Sequence, residues 1–454
     1  MTLLSDQPFT QINDTQAVFK YKPVDFLFTC LGLVFLVLDI VLDILAVVSF
    51  YQEEEYVSLG VLLLFLLGSS VLGQLYSWLW YSYGDFSRDT KVERCLSLWQ
   101  LHLLHVLQLG IYFRHAGVVE VSVHSFFTKT QDPENVAVFL SHDLSMLRLF
   151  EAFSESSPQL VLMLTIILQR GQLDPVTVLK AIGSAAAIAI SVTMYHRSLR
   201  SFLPDKMDQR LISSVVYFIW NLLCIASRVV ALALFASVLP CFIFSHFFCS
   251  WLVLFFFVWR SKTSFMDTPG AEWLYRATVG LIWYFNWFNV AEGSTRTRML
   301  LYHGYKLADI SLLCGLWCWK ITTEPSHGGI TLSYALITAV SVVLVYGLGL
   351  LFTIIYYKRY HPNLDREQMT GVTAGMTQNG DEAAVGKSPS GDEVDFMLKD
   401  TVSGASYDDI PQNLTLKGLL VTDVTDRSAP SPPPPRSVGR CNNRMRKMAE
   451  NFYS

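Results

Sequence analysis

Apolar residues gather into long runs near residues 24–50, 57–83, 97–117, 137–169, 175–196, 212–238, 241–260, 273–293, 299–319 and 331–357. Most are long enough to cross a bilayer as helices. Basic residues between runs mark loops on the cytosolic side: Lys20 and Lys22 before the first, Arg88, Lys91 and Arg94 after the second, and Arg197, Arg200, Lys206 and Arg210 after the fifth. The acidic QEEEY (52–56) falls on the other side. Between Arg94 and Arg197 the chain must therefore cross an even number of times, yet three runs lie there; the same mismatch returns between Arg260 and Lys262 and the pair Lys358 and Arg359. An internal repeat resolves both. The pattern predicts an all-α polytopic membrane protein of about eight crossing helices and two broken or re-entrant segments in two pseudo-symmetric halves, 24–210 and 211–360, after a cytosolic N-terminus of 1–23. LFEAFSES (149–156) and WFNVAEGS (287–294) echo one another across the halves. The candidates for the non-crossing segments are the run containing Pro158 and 273–293, with 97–117, which carries His102 and His105, as a rival.

After Tyr360 the periodicity stops. Residues 361–454 are polar, contain PSPPPPRS (430–437), and have little to bury, which predicts a disordered cytosolic tail. Its end, RCNNRMRKMAENFYS, reads as a short basic helix able to lie against a membrane or the protein's own inner face.

Composition supports the membrane reading: of 454 residues 52% are hydrophobic and only 16% charged, against about 25% charged in soluble domains. The net charge of −4 gives no reason to expect a nucleic acid partner. The first run contains Asp39 and Asp43 and reads as a retained helix rather than a cleaved signal. The eight cysteines suggest no disulfide framework, and Cys314 and Cys318 read as packing residues. Asn13 and Asn413 sit in acceptor-like triplets, but in segments assigned to the cytosol.

Charges inside the apolar runs change the picture most. The stretch 142–164 places Asp143, Arg148, Glu151 and Glu155 in oil. Glu151 and Glu155 share a helix face one turn apart, and Pro158 follows, where a helix breaks or kinks. Asp39 and Asp43 form a second such pair, and Arg114, Arg228 and Asp309 are single charges at membrane depth. An unpaired charge at the bilayer centre costs at least ~3 kcal/mol, so these groups must face one another or water. Two readings stay open: a structural lock, or a hydrophilic groove that passes polar headgroups while acyl tails stay in lipid. Catalysis has little to stand on, because His142, Asp143 and Ser154 come without a GxSxG or HExxH motif. His102 and His105 lack further metal ligands at matching spacing and read as hydrogen-bonded helix histidines. In the tail, Asp392, Glu393, Val394 and Asp395 spell DEVD, the preference of executioner caspases, with the cut before Phe396; DVTD, ending at Asp426, is a second candidate.

The strings QLYSWLW (74–80), HVLQLG (105–110), DLSMLRLFEAFSESSPQL (143–160), YFIWNLL (217–223), SRVVALALF (227–235), EWLYRATV (272–279) and FNWFNVAEG (285–293) resemble the XK-related membrane protein family, over about residues 24 to 360. The resemblance implies a plasma-membrane protein; both termini read as cytosolic, and no cofactor is expected. It implies that caspase cleavage activates ATP-independent scrambling of phospholipids, which exposes phosphatidylserine during apoptosis. It also implies a single-span immunoglobulin-type partner, basigin or neuroplastin. The family's charges that line or brace the lipid path fall here on Asp39, Asp43, Arg114, Glu151, Glu155, Arg197, Arg228 and Asp309. Where relatives carry an acid before the YHR segment, this chain has Met194 ahead of Tyr195, His196 and Arg197. A solute transporter or a structural membrane subunit is the alternative reading.

Overall fold

The computed structural model describes residues 23–82, 90–128, 131–171, 175–202, 209–261, 263, 265, 266, 268–290, 295–323 and 331–361. The DEVD and Asp426 sites, the basic end, Asn13, Asn413, Lys20, Lys22, Arg88, Lys206 and Lys262 lie outside these residues. Every described element is helical: α1 (Pro23–Gln52), α2 (Tyr56–Ser82), α3 (Lys91–Arg94), α4 (Leu98–Val106), α5 (Gly110–Thr128), α6 (Gln131–Glu151), a π-helical turn (Ala152–Ser156), α7 (Ser157–Arg170), α8 (Pro175–Phe202), α9 (Leu211–Val238), α10 (Pro240–Arg260), α11 (Pro269–Phe285), α12 (Thr295–Thr323), α13 (Leu332–Ile355) and a second π-helical turn (Tyr356–Tyr360).

Among the described residues six helices, α1, α2, α8, α9, α10 and α13, are long and apolar enough to span a membrane. The α12 rod and the continuous rod from α6 through α7 are also long enough, but they carry the charges described above. The two remaining apolar runs are interrupted. The first, α4 to α5, breaks at Gln108, whose φ of 64° puts it in the left-handed region. Gly110 follows because an added Cβ there would sit 2.4 Å from the His105 ring. In the second, Thr268 caps α11 by accepting from the Ala271 N–H, with Pro269 in the first turn. The helix stops at Phe285, after which the backbone is extended at Asn286.

One expectation is corrected. The run containing Pro158, given above as a non-crossing candidate, stays helical from Gln131 to Arg170, and the rival 97–117 is the broken segment. Pro158 has no N–H to give the carbonyl four residues back, so the helix widens instead of ending. The Ser157 N–H reaches the Ala152 carbonyl, and the Ser157 hydroxyl donates to the same oxygen at 2.8 Å.

The core is organised by α9, which is buried along most of its length and packs against α7, α8, α12 and α13. Gly349 lets α13 approach it: a Cβ there would lie 2.7 Å from the Cys224 sulfur. By contrast only 6% of the apolar window of α1 is buried against protein. One face of the molecule gathers the start of α1, the end of α8, the start of α9 and His361; we call it the terminal face. On the opposite face Arg170, at the end of α7, pairs with Glu53 and Glu55 of the α1–α2 turn. The guanidinium holds the Glu53 carboxyl below its ordinary range.

Candidate functional site

Where α1 stands away from α6 and α8 it leaves a cavity of about 490 Å³. The α8 side of this space carries Gly183, Ser184, Ala187 and Ser191, small residues that add little bulk. Its lining runs from Asp25 to Phe50 along α1 and from Lys180 to Ser201 along α8. At 1.5 Å per residue, the twenty-five steps from Asp25 to Phe50 are about 37 Å and the twenty-one from Lys180 to Ser201 about 31 Å. The cavity is therefore a groove as tall as the hydrocarbon core, about 30 Å.

Its polar residues are ordered by height. At the terminal face Arg197 pairs with Asp25 at 3.3 Å. The same guanidinium donates to the Gln209 carbonyl at 2.9 Å and the Ser214 hydroxyl at 2.8 Å, and lies over the Phe28 ring. Met194, three positions before Arg197 on α8, offers no carboxylate, and Asp25 of α1 supplies the partner. In the middle Arg148 binds Glu151 at 3.0 Å, lies 4.0 Å from Asp39, and donates to the Gly32 carbonyl at 3.2 Å. Gln159 donates to Asp43 at 2.9 Å. Lys180 and Ser49 line the far end.

The π-helical turn sets this geometry. Glu155 falls within this turn and is buried, while Glu151, just before it, stays half-buried on the groove lining. Carboxylate oxygens of Asp39, Glu151 and Glu155 come within 4.8 Å of one another. Three hard oxygen donors suit a cation such as calcium, but Arg148 already supplies positive charge at that point.

The remaining predicted charges lie elsewhere. Arg114 is enclosed among α2, α5 and α6: it pairs with Asp143 at 3.3 Å, donates to the Ser77 hydroxyl and carbonyl, and stacks over Tyr81. His105 is tied to Ser77 and to the Leu101 carbonyl, as its hydrogen-bonded reading requires. Arg228 and Asp309 pair at 2.7 Å inside the second half, where the orphan carbonyls of the interrupted α11 must be satisfied. Arg228 Nε and Lys306 Nζ both donate to the Tyr284 carbonyl, at 3.1 and 3.0 Å, and the Tyr302 hydroxyl donates to that of Trp283 at 2.8 Å. Cations at a helix C-terminus also meet its negative pole. His246 completes the cluster: it donates from Nε2 to Asp309 and accepts the Tyr284 hydroxyl at Nδ1, both at 3.0 Å.

So Asp39, Asp43, Glu151 and Arg197 share the groove, whereas Arg114, Arg228 and Asp309 do not line it. Sequence reasoning passed over Asp25, Gln159, Lys180, His246 and Lys306. Lys306 was open to detection, since it lies three positions before Asp309 on one helix. Asp25 was not, because the first turn of a membrane helix ordinarily sits in water.

Residues 27–362 match the XK-related protein family. Three relatives bear the name XK-related protein 8. The Tetraodon nigroviridis protein is 44% identical over 77% of this chain and 86% of its own length. The Gasterosteus aculeatus protein is 41% identical over 76% and 86%, and the Pan troglodytes protein 37% over 78% and 90%. The helices from residue 27 onward, both broken segments and all of the groove lining but Asp25 fall inside the family match, and the chain belongs to the XK-related family.

Proposed function

We propose that the protein is an energy-independent phospholipid scramblase, activated by caspase cleavage, that exposes phosphatidylserine at the surface of apoptotic cells. The observation that carries this reading is the groove: charged residues continue from Asp25 and Arg197 through Arg148 to Lys180, over a height equal to the hydrocarbon core. A zwitterionic or anionic headgroup moving along it exchanges water for arginine, lysine and carboxylate partners at each level. The bare bilayer offers none, and polar groups buried without partners cost several kcal/mol. Acyl chains remain outside, against the weakly covered α1. ATP has no part in this account, since the lipid gradient itself drives net movement.

Activation rests on the tail. An executioner caspase cutting after Asp395 removes residues 396–454, including the basic, aromatic-tipped end. Basigin or neuroplastin serves as the single-span partner that brings the protein to the plasma membrane.

Reconstitution tests the activity. Protein ending at Asp395 goes into vesicles with fluorescent lipid in both leaflets, and an outside quencher is added. Scrambling makes nearly all the label accessible; a solute transporter or a structural subunit leaves the inner leaflet protected, and that outcome removes the proposal.

A further inference from the structure

The base of the tail does not simply leave the membrane at the end of α13. It turns through the Tyr356–Tyr360 π-helical segment and is tied back to the terminal face by polar side chains buried in the protein. Tyr356 is 1% exposed and His361 6%. The Tyr356 hydroxyl donates to His196 Nε2 at 3.1 Å and accepts from the Gln209 amide at 3.3 Å. Ser213 donates to the Tyr360 carbonyl at 2.6 Å. Arg200, also fully enclosed, donates to His361 Nε2 at 3.0 Å and to His196 Nε2 at 3.4 Å. Both imidazoles therefore act as acceptors at Nε2, because a guanidinium has no lone pair to offer.

Gln209 stands in two networks at once. Its side chain holds Tyr356, and its backbone carbonyl accepts from Arg197 at 2.9 Å. Arg197 is the cation at the terminal mouth of the groove, and through it α8 is pinned to Asp25 of α1. A line of contacts thus runs from the tail base through Tyr356, Gln209 and Arg197 to α1, the weakly covered wall of the groove. Buried polar networks transmit displacement because an unmet partner inside the protein is expensive. If Tyr356 lets go, Gln209 is freed to shift, and the Arg197 anchor shifts with it.

We propose that Gln209 and Tyr356 are positioning residues: through them the base of the tail holds Arg197 against Asp25, and so keeps α1 drawn over the terminal mouth of the groove. This rests on the scramblase reading above for its consequence, though not for its geometry. Release of the tail base then opens the mouth without any change in the groove's own charges.

The test uses the full-length chain in vesicles with fluorescent lipid, uncut and after caspase treatment. Tyr356→Phe removes one hydroxyl and keeps the ring. It raises lipid transfer by the uncut protein on the order of tenfold, a usual size for coupling between sites, and leaves the cut protein's rate unchanged. Ser213→Ala moves the uncut rate in the same direction. Asp25→Asn also raises it, but combined with Tyr356→Phe it adds nothing further, because both act through Arg197.

A second readout is independent of lipid movement. A cysteine at the groove-lining Thr29, with Cys30→Ser, is labelled by a soluble maleimide and located by mass spectrometry; Tyr356→Phe speeds the labelling. Uncut Tyr356→Phe protein matching wild type in both transfer and labelling overturns the inference. So do effects of Asp25→Asn and Tyr356→Phe that multiply, and so does an equal slowing of cut and uncut forms, which marks a merely structural role. If labelling quickens while cut wild-type protein moves no lipid, the inference holds and the scramblase reading falls.

Discussion

Arg148 and Arg228 carry the same guanidinium in opposite circumstances. Arg148 borders an open groove with two acids to choose from, and Arg228 is 1% exposed, with Asp309 and a helix end as partners. Removing one member of an enclosed pair strands the other, at a cost of about 3–5 kcal/mol. Arg228→Ala is therefore expected to lower the thermal midpoint sharply and to yield aggregated protein on gel filtration. Asp43→Asn keeps the Gln159 contact and its shape, so its midpoint stays near wild type while lipid transfer by the Asp395-ended protein falls several-fold. Equal losses of stability in both variants contradict this division. On the face opposite the termini, Glu53 is held below its ordinary range by Arg170, so the pair stabilises the fold above that range and is lost as pH falls through the depressed value. The pair is exposed and worth no more than about 1 kcal/mol. Glu53→Gln should lower the midpoint slightly at neutral pH, and the difference from wild type should vanish well below pH ~4.

At the scale of elements, close approaches are the vulnerable points. A side chain at position 349 collides with the Cys224 sulfur and backbone, where α13 packs on α9. Gly349→Val is expected to destabilise by about 1–3 kcal/mol, as overpacking does, read as an earlier unfolding transition; an unchanged transition shows that the helices can part at no cost. Sequence periodicity made most of the rods legible, because long apolar runs have few alternatives in lipid. It also anticipated two broken segments by parity. It chose the wrong member of the first pair, since Pro158 is the strongest helix breaker on paper, while the true interruption lies at Gln108 and Gly110, which carry no such signal. Proline was accommodated by the wider turn, in which Glu155 is buried while Glu151, just before it, stays half-buried on the groove lining. The charge list was readable in the same partial way: which residues sit in oil follows from one dimension, but which of them face a cavity depends on helix rotation and neighbours. The Arg197 partner shows this, since Asp25 is 172 residues away in sequence.

For the molecule as a whole, the proposed activation leaves a fixed body and takes away a removable restraint. Moving an equilibrium from almost wholly closed to almost wholly open takes ~5 kcal/mol, an amount that a handful of buried contacts can supply. Asp395→Ala is expected to abolish phosphatidylserine exposure in apoptotic cells, measured by annexin staining. Normal staining with Asp395→Ala and Asp426→Ala together ends the caspase account.

The thin attachment of α1 has a further consequence. Its outward surface rests on acyl chains rather than on protein, so the bilayer serves as the missing neighbour that keeps this rod upright. Detergent substitutes for that neighbour poorly. Hydrogen exchange along α1 should quicken on transfer from nanodiscs to micelles while α9 stays protected, and kinetic constants obtained in micelles would then describe a protein with one side undone.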